Sequence, residues 1–316
     1  MTMTAILFPG QGSQEQGMGR DVAEAMPEAM ELWTFAEKES GLPLREIYWD
    51  GGDGDMADTR ALQPALTVTN LSLWLACRAR LAPVASAGHS LGEFAALAAS
   101  GALDGPDAIR AVCLRGRLMA QAGGEGHGMA AVVKLDQATV EGIVDRAVTD
   151  TGRELRIANY NSPAQFVISG EAEALAAAAA LVKEAKGRAI PLAVSGAFHS
   201  PLMGEAASEF AAFLAGLTWR APAFLVYHNA TALPEPDPAG ILPVMQRQMT
   251  ASVLWIQTLQ ALWLAGVRRF VEVGPKNVLT KLLAPNLAAC AAPADGDEAA
   301  PWTAHNAGTL EQAAAL

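Results

Sequence analysis

A serine, a histidine and an arginine carry the chemistry that can be read in this sequence. Ser90 stands in Gly88-His89-Ser90-Leu91-Gly92, a G-x-S-x-G pattern. Val84 to Gly88 reads as a strand and Leu91 to Ser100 as a helix, so the pattern falls on a strand-to-helix junction. A sharp turn there lifts the Ser90 hydroxyl clear of a sheet. The flanking glycines admit close backbone packing, and the N-terminal N–H groups of the helix point at the reacting centre. The Leu91 N–H then becomes an oxyanion donor. The hydroxyl still needs a base, and the chain has 5 histidines. His89 adjoins Ser90 and points elsewhere, His127 lies in a glycine-rich stretch, and His305 lies near the C-terminus. His199, in the loop Ser195-Gly196-Ala197-Phe198-His199-Ser200-Pro201, is favoured over His228, which follows an apolar strand and also reads as a hydrogen-bonded edge residue. On the helix from Pro106 to Gln121, Arg115 and Arg117 are about 200° apart around the axis, so they cannot share one task. The periodicity does not choose between them.

These groups need a frame. Thr4 to Phe8 reads as a buried strand, followed by the polar glycine-rich turn Pro9-Gly10-Gln11-Gly12-Ser13-Gln14. Such a turn either offers N–H groups to an anion or simply ends the strand. Helical patterns cover Ala23 to Ser40 and Gln63 to Leu81. Between Met129 and Ala193 the order is β-α-β-β-α-β, that of a ferredoxin-like unit. It interrupts a larger α/β pattern that resumes with a strand at Phe224 to Asn229, a helical stretch over Leu242 to Ala265, and a strand at Arg269 to Val273. The expected fold is α/β: a discontinuous large domain over 1–125 and 196–290, a small inserted domain over 126–195, and a loose tail over 291–316 ending in a short helix.

Composition narrows the function. The chain has 316 residues, 51% hydrophobic and 17% charged, which suits a packed core and argues against disorder. Lys+Arg 22 against Asp+Glu 33 gives a net charge of −11, so no general grip on nucleic acid is expected. The apolar run Ala174 to Val182 is far shorter than the ~20 residues of a membrane span. No signal peptide is read at the N-terminus. Cys77, Cys113 and Cys290 are far apart and form no metal or disulfide framework, which suits a reducing cytoplasm. The acidic stretch from Asp50 to Asp58 lacks the closing glutamate of a calcium loop, so no metal is expected.

Several motifs in order carry a resemblance: P-G-Q-G-S-Q with Gln11, G-H-S-L-G-E, L-R-G-R-L-M with Arg115, A-N-Y-N-S-P-A-Q, G-A-F-H-S-P-L-M and V-E-V-G-P. Together they resemble the malonyl-CoA:acyl-carrier-protein transacylase family, over roughly residues 4 to 285. The resemblance implies an α/β-hydrolase-like large domain with a ferredoxin-like insert. It implies Ser90 as nucleophile, His199 as base, and the N–H groups of Gln11 and Leu91 as oxyanion hole. It selects Arg115 to hold a malonyl carboxylate and leaves Arg117 outside. It implies Gln248, ahead of Val253-Leu254-Trp255, as the side chain that hydrogen-bonds the histidine where other triads use a carboxylate. Ala251 and Ser252 stand where the family more often has asparagine and proline, and Gly274-Pro275-Lys276-Asn277 stands where G-P-G-K is common. Phe198 resembles the malonyl-preferring version of its loop, where a ring restricts room at the acyl α-carbon. For Asn159, Asn161 and Gln165 two readings stand, contact with the CoA or pantetheine arm and turn capping.

The implied reaction passes malonyl from malonyl-CoA to the phosphopantetheine thiol of acyl carrier protein through an acyl-serine, without metal or redox cofactor, in a monomer. A serine thioesterase would share the elbow and base but has no use for Arg115. A transacylase of polyketide synthesis or malonate decarboxylation would share everything but the partner. Two basic clusters are candidates for docking an acidic carrier: Lys183, Lys186 and Arg188, and the favoured Arg268, Arg269, Lys276 and Lys281.

Overall fold

The computed structural model describes residues 2–51, 56–124, 126–194, 196–288, 290 and 301–316. Five strands form one parallel sheet in the order β7-β2-β1-β8-β9. They are β1 (Met3–Phe8), β2 (Pro83–Gly88), β7 (Leu225–Tyr227), β8 (Val267–Val273) and β9 (Thr303–Ala307). β1 is the central strand, and Ala5 to Phe8 are wholly buried. A strand covered on both faces has no polar side to show, which is why its sequence is an unbroken apolar run.

Five helices precede the insert, α1 (Arg20–Ala25), α2 (Pro27–Ser40), α3 (Thr59–Cys77), α4 (Gly92–Ser100) and α5 (Gly105–Ala122); α4 packs on β1, β2 and β7 and α3 on β8, and α1, α2 and α5 pack on α3. The helix expected over Ala23 to Ser40 is divided where extended Met26 leads into Pro27 at the start of α2. A proline lacks the N–H that an uninterrupted helix would need there, yet suits a first turn.

The insert is an antiparallel sheet, β4-β5-β3-β6, formed by β3 (His127–Val133), β4 (Leu155–Ser162), β5 (Gln165–Glu171) and β6 (Arg188–Pro191). Helices α6 (Gln137–Thr151) and α7 (Ala172–Glu184) pack together and complete the expected ferredoxin-like order. Val132, Val140, Phe166, Ile168, Ala178 and Val182 belong to its own apolar core.

The chain then returns through α8 (Gly204–Ala215), α9 (Pro238–Gln246), α10 (Trp255–Leu264) and α11 (Val278–Leu287). The single helical stretch expected over Leu242 to Ala265 is therefore two helices. The backbone between them is claimed by the insert: Tyr160 N–H donates to Val253 C=O at 2.9 Å, and Val253 N–H to Ala158 C=O at 2.8 Å. Arg156 adds bonds to the Thr250 carbonyl at 2.9 Å and the Ser252 hydroxyl at 2.8 Å.

The loose tail also needs correction. Residues 291–300 lie outside the described residues, but Thr303–Ala307 is β9, paired in parallel with β8, and α12 (Leu310–Ala314) follows. The large sheet thus gains an edge strand from beyond residue 290. Residues 52–55 of the acidic stretch weighed as a calcium loop are also outside the described residues. Among the described residues no His, Cys, Asp and Glu group is arranged to hold a metal, and no helix is long and apolar enough to cross a membrane.

Candidate active site

Ser90 is held at φ 50°, in the left-handed region that a side chain normally avoids. The strain is imposed by packing. A Cβ on Gly88 would collide with the Gly92 carbonyl, and one on Gly92 with the Phe8 carbonyl, so β1, β2 and α4 meet more closely than any other residue allows. Asn229, just past β7, locks the turn from outside: its Oδ1 accepts from Ser90 N–H at 2.6 Å and its Nδ2 donates to Gly88 C=O at 2.6 Å. Strain fixed this firmly is a feature of sites with a chemical task.

His199 is the other strained member, at φ 57°. Its Nε2 lies 2.7 Å from Ser90 Oγ. Its Nδ1 lies 3.1 Å from the Gln248 carbonyl and 2.9 Å from the Ala251 carbonyl. Carbonyls only accept, so Nδ1 carries the proton and Nε2 turns its lone pair to the Ser90 hydroxyl. Burial, reinforced by the Arg115 charge, pushes the His199 pKa down to about 3. The imidazole is therefore neutral at physiological pH, with the Nε2 lone pair directed at the Ser90 hydroxyl. His228, the alternative base, is fully buried against Glu93 and does not reach Ser90.

Gln248 is near the histidine, but by a different atom from the one expected. Its main-chain carbonyl helps to orient His199, and its side chain turns to Arg115. The carbonyls of Gln248 and Ala251 are available because the chain between α9 and α10 is not helical. The residue at 251 contributes only its carbonyl, so its departure from the commoner asparagine leaves this contact intact.

Arg115 points inward from α5 and is 1% exposed. Its Nε donates to Gln248 Oε1 at 3.2 Å, Nη1 to Gln63 Oε1 at 3.0 Å, and Nη2 to Ser90 Oγ at 3.2 Å. All these acceptors are neutral. Among the described residues no carboxylate forms an ion pair with Arg115, and burial pushes its pKa down to about 10. Arg117 lies on the outer face, with its side chain 58% exposed and 3.9 Å from Glu209.

Ser90, His199 and Arg115 open onto a cavity of about 400 Å³ between the two sheets. Gln11, Leu91, Phe198, Asn159, Asn161 and Gln165 line it as well. The N–H groups of Gln11 and Leu91 have no acceptor among the described residues. Phe198 and Met119 supply apolar wall. Asn161 Oδ1 is 2.8 Å from His89 Nε2, which holds His89 away from the reacting atoms. Asn159 Oδ1 is buried with no partner, which leaves an amide acceptor at the wall.

Sequence reasoning assigned no role to Gln63, Glu93 or Asn229. Gln63 is a polar residue within the apolar run of α3, and such a residue needs a partner when buried. Glu93 ends the G-H-S-L-G-E motif, and Asn229 sits at the end of a strand beside the elbow. Lys281 also lines the cavity, and with Lys276 it lines a shallower hollow next to it. Of the other cluster members, Arg268 stacks on Trp263 at 3.6 Å.

The chain is similar to known proteins along nearly its whole length. Residues 6–311 match the acyl transferase domain family. The malonyl CoA-acyl carrier protein transacylase of Escherichia coli strain K12 is 37% identical over 286 residues, covering 89% of this chain and 92% of that protein. The enzyme of the same name from Staphylococcus aureus strain MW2 is 38% identical over 288 residues, covering 90% and 92%. The fold is similar to that of the malonyl-CoA:acyl carrier protein transacylase of Xanthomonas oryzae pv. oryzae, with TM-score 0.90, 33% identity, and coverage of 100% of this chain and 97% of that one. It is equally similar to a malonyl-transacylase solved in complex with its type II PKS acyl-carrier protein, with TM-score 0.90, 32% identity, and coverage of 99% and 98%.

Proposed function

The chain belongs to the acyl transferase family, and on that premise we propose that it moves malonyl from malonyl-CoA to the phosphopantetheine thiol of an acyl carrier protein, through a malonyl ester on Ser90, in fatty acid synthesis. One observation carries the choice of acyl group. A buried guanidinium with only neutral partners lies 3.2 Å from the Ser90 hydroxyl. Burying a charge is costly unless an opposite charge joins it. One N–H on each terminal nitrogen of Arg115 has no partner among the described residues. Those two are free to donate to a carboxylate, which malonyl carries and acetyl lacks.

The steps follow from the contacts. His199 Nε2 takes the Ser90 proton as Oγ attacks the thioester carbonyl. The oxyanion lies on the Gln11 and Leu91 N–H groups, each worth about 10²–10³ in rate by the precedent of such donors. The C–S bond breaks, and His199 passes its proton to the departing CoA thiolate. The carrier thiol then enters, gives its proton to His199 and attacks the malonyl ester. The Ser90–acyl bond breaks, and His199 returns the proton to Ser90. The Phe198 and Met119 walls limit the water that would turn transfer into hydrolysis. The unpaired cysteines support a cytoplasmic setting.

Intact-mass measurement after mixing with malonyl-CoA tests the intermediate. The expected result is one malonyl adduct on the wild type and none on Ser90→Ala. An adduct on Ser90→Ala would overturn the assignment.

A further inference from the structure

One buried carboxylate joins the two halves of this machinery without touching the reacting atoms. Glu93 lies in the first turn of α4 and is fully buried. Its Oε1 faces His228 Nδ1 at 2.8 Å and accepts the Asn229 main-chain N–H at 3.2 Å. Its Oε2 accepts from Gln248 Nε2 at 3.0 Å. Asn229 holds the Ser90 backbone, and Gln248 holds Arg115. Building on the malonyl reading above, we propose that Glu93 is a positioning residue for acyl-group choice. It fixes the direction of the Gln248 amide, and so keeps the terminal nitrogens of Arg115 turned toward the acyl carboxylate.

Donor and acceptor chemistry fixes the orientation of the Gln248 amide. Arg115 Nε can only donate, so the Gln248 atom facing it must be Oε1. The Ser90 carbonyl, 2.9 Å from Gln248 Nε2, can only accept. The third neighbour of that amide, Glu93, must therefore accept, which a carboxylate does at both oxygens. A glutamine at 93 cannot meet every demand. If its NH₂ faced Gln248, two donors would meet. If its oxygen faced Gln248, its NH₂ would meet the Asn229 N–H. Gln248 could yield only by turning its own NH₂ onto Arg115.

Charge gives a second reason. Glu93 offsets the buried guanidinium from one side chain away. A carboxylate in direct contact with Arg115 would do so more strongly, but it would occupy the place that the substrate carboxylate needs. The Glu93–Gln248 relay supplies countercharge and leaves that place open.

Two variants test this, Glu93→Gln and the exchange Glu93→Gln with Gln248→Glu, each assayed for kcat and KM with malonyl-CoA and acetyl-CoA and for Tm. Glu93→Gln is expected to raise KM for malonyl-CoA about tenfold or more, the loss of roughly one charge-assisted contact. Acetyl-CoA kinetics should change much less. The exchange restores a 93–248 hydrogen bond with donor and acceptor reversed and puts a carboxylate on Arg115, while that carboxylate also meets the Ser90 carbonyl, acceptor against acceptor. Its malonyl preference is expected to stay lost, because the new carboxylate takes the place of the substrate carboxylate on Arg115. A merely structural Glu93 would lower both substrates together and leave their ratio unchanged. An unchanged malonyl-to-acetyl ratio in Glu93→Gln overturns the relay, as does an exchange variant that regains the wild-type ratio. If Glu93→Gln does not fold, the exchange variant alone decides by that ratio. A wild type without malonyl preference would instead refute the underlying reading of Arg115.

Discussion

The two faces of α5 use arginine in opposite ways. On the outer face, a groove lined by Arg60, Arg110 and Arg117 is a set of compensated charges. Arg60 pairs with Asp58 at 2.7 Å, Arg110 with Asp107 at 3.0 Å, and Arg117 approaches Glu209 at 3.9 Å. These side chains are largely solvated, and such pairs contribute little to stability. On the inner face, Arg115 is buried and has only neutral acceptors. Arg110, Arg117 and Arg115 share residue type and helix, so the difference lies in what surrounds the cation. A wet arginine in direct contact with a carboxylate has no need of a ligand, whereas a dry one whose countercharge, Glu93, stands one side chain away is completed by an anionic ligand.

The largest effect is expected at the inner face. His199→Ala should lower acyl transfer by about 10³-fold or more, as expected for removal of a residue acting in one unit with its nucleophile, with the Tm near that of wild type. Activity within a few-fold of wild type would move the base elsewhere.

A smaller effect concerns pH. The folded His199 pKa is depressed to about 3, against about 6.5 for an exposed histidine. The unfolded chain therefore binds a proton that the folded site refuses. The stabilisation is present above about pH 6.5 and is lost as pH falls toward 3. Buried His89 shifts in the same direction. Thermal melts of His199→Gln across pH 4 to 7 should fall less steeply toward acid than those of the wild type. Parallel curves would contradict the assigned protonation.

At the cavity rim, reversing Lys276 and Lys281 to glutamate should raise KM for carrier protein several-fold and leave acylation by malonyl-CoA nearly unchanged, as local attraction screened within about 8 Å would do. Equal loss in both half-reactions would mean that the turn shapes the site instead. The smallest effect belongs to the outer face: Arg117→Ala should keep the malonyl-to-acetyl ratio within about twofold, in line with the modest worth of an exposed pair.

How much could be read in advance follows from the range of the forces. The Ser90 elbow is local, because strand, turn and helix lie within a few residues, and the spacing of Gly88 and Gly92 records the close packing. The ferredoxin-like order was legible for the same reason. The break between α9 and α10 was not. The apolar pattern from Leu242 to Ala265 runs through it, and only pairing with β4 decides that Val253 is extended. That pairing exposes the carbonyls that orient His199, so the role of the Gln248 main chain was hidden with it. β9 was hidden too, since Thr303 to Ala307 carries little apolar signal and owes its strand form to the edge of β8. Only the resemblance selects Arg115 over Arg117, because helical periodicity separates the two faces without saying which one is buried.

The central claim is that Arg115 selects the acyl group by holding its carboxylate. Malonyl-CoA and acetyl-CoA offered together at equal concentration, with the acyl-enzyme weighed by intact mass at early times, test it most directly. The wild type should carry malonyl almost alone. Arg115→Ala should lose about 2–4 kcal/mol of malonyl kcat/KM, from loss of a charge-assisted bidentate contact, and shift its adducts toward acetyl. An Arg115→Ala enzyme with the wild-type malonyl-to-acetyl ratio would contradict the account.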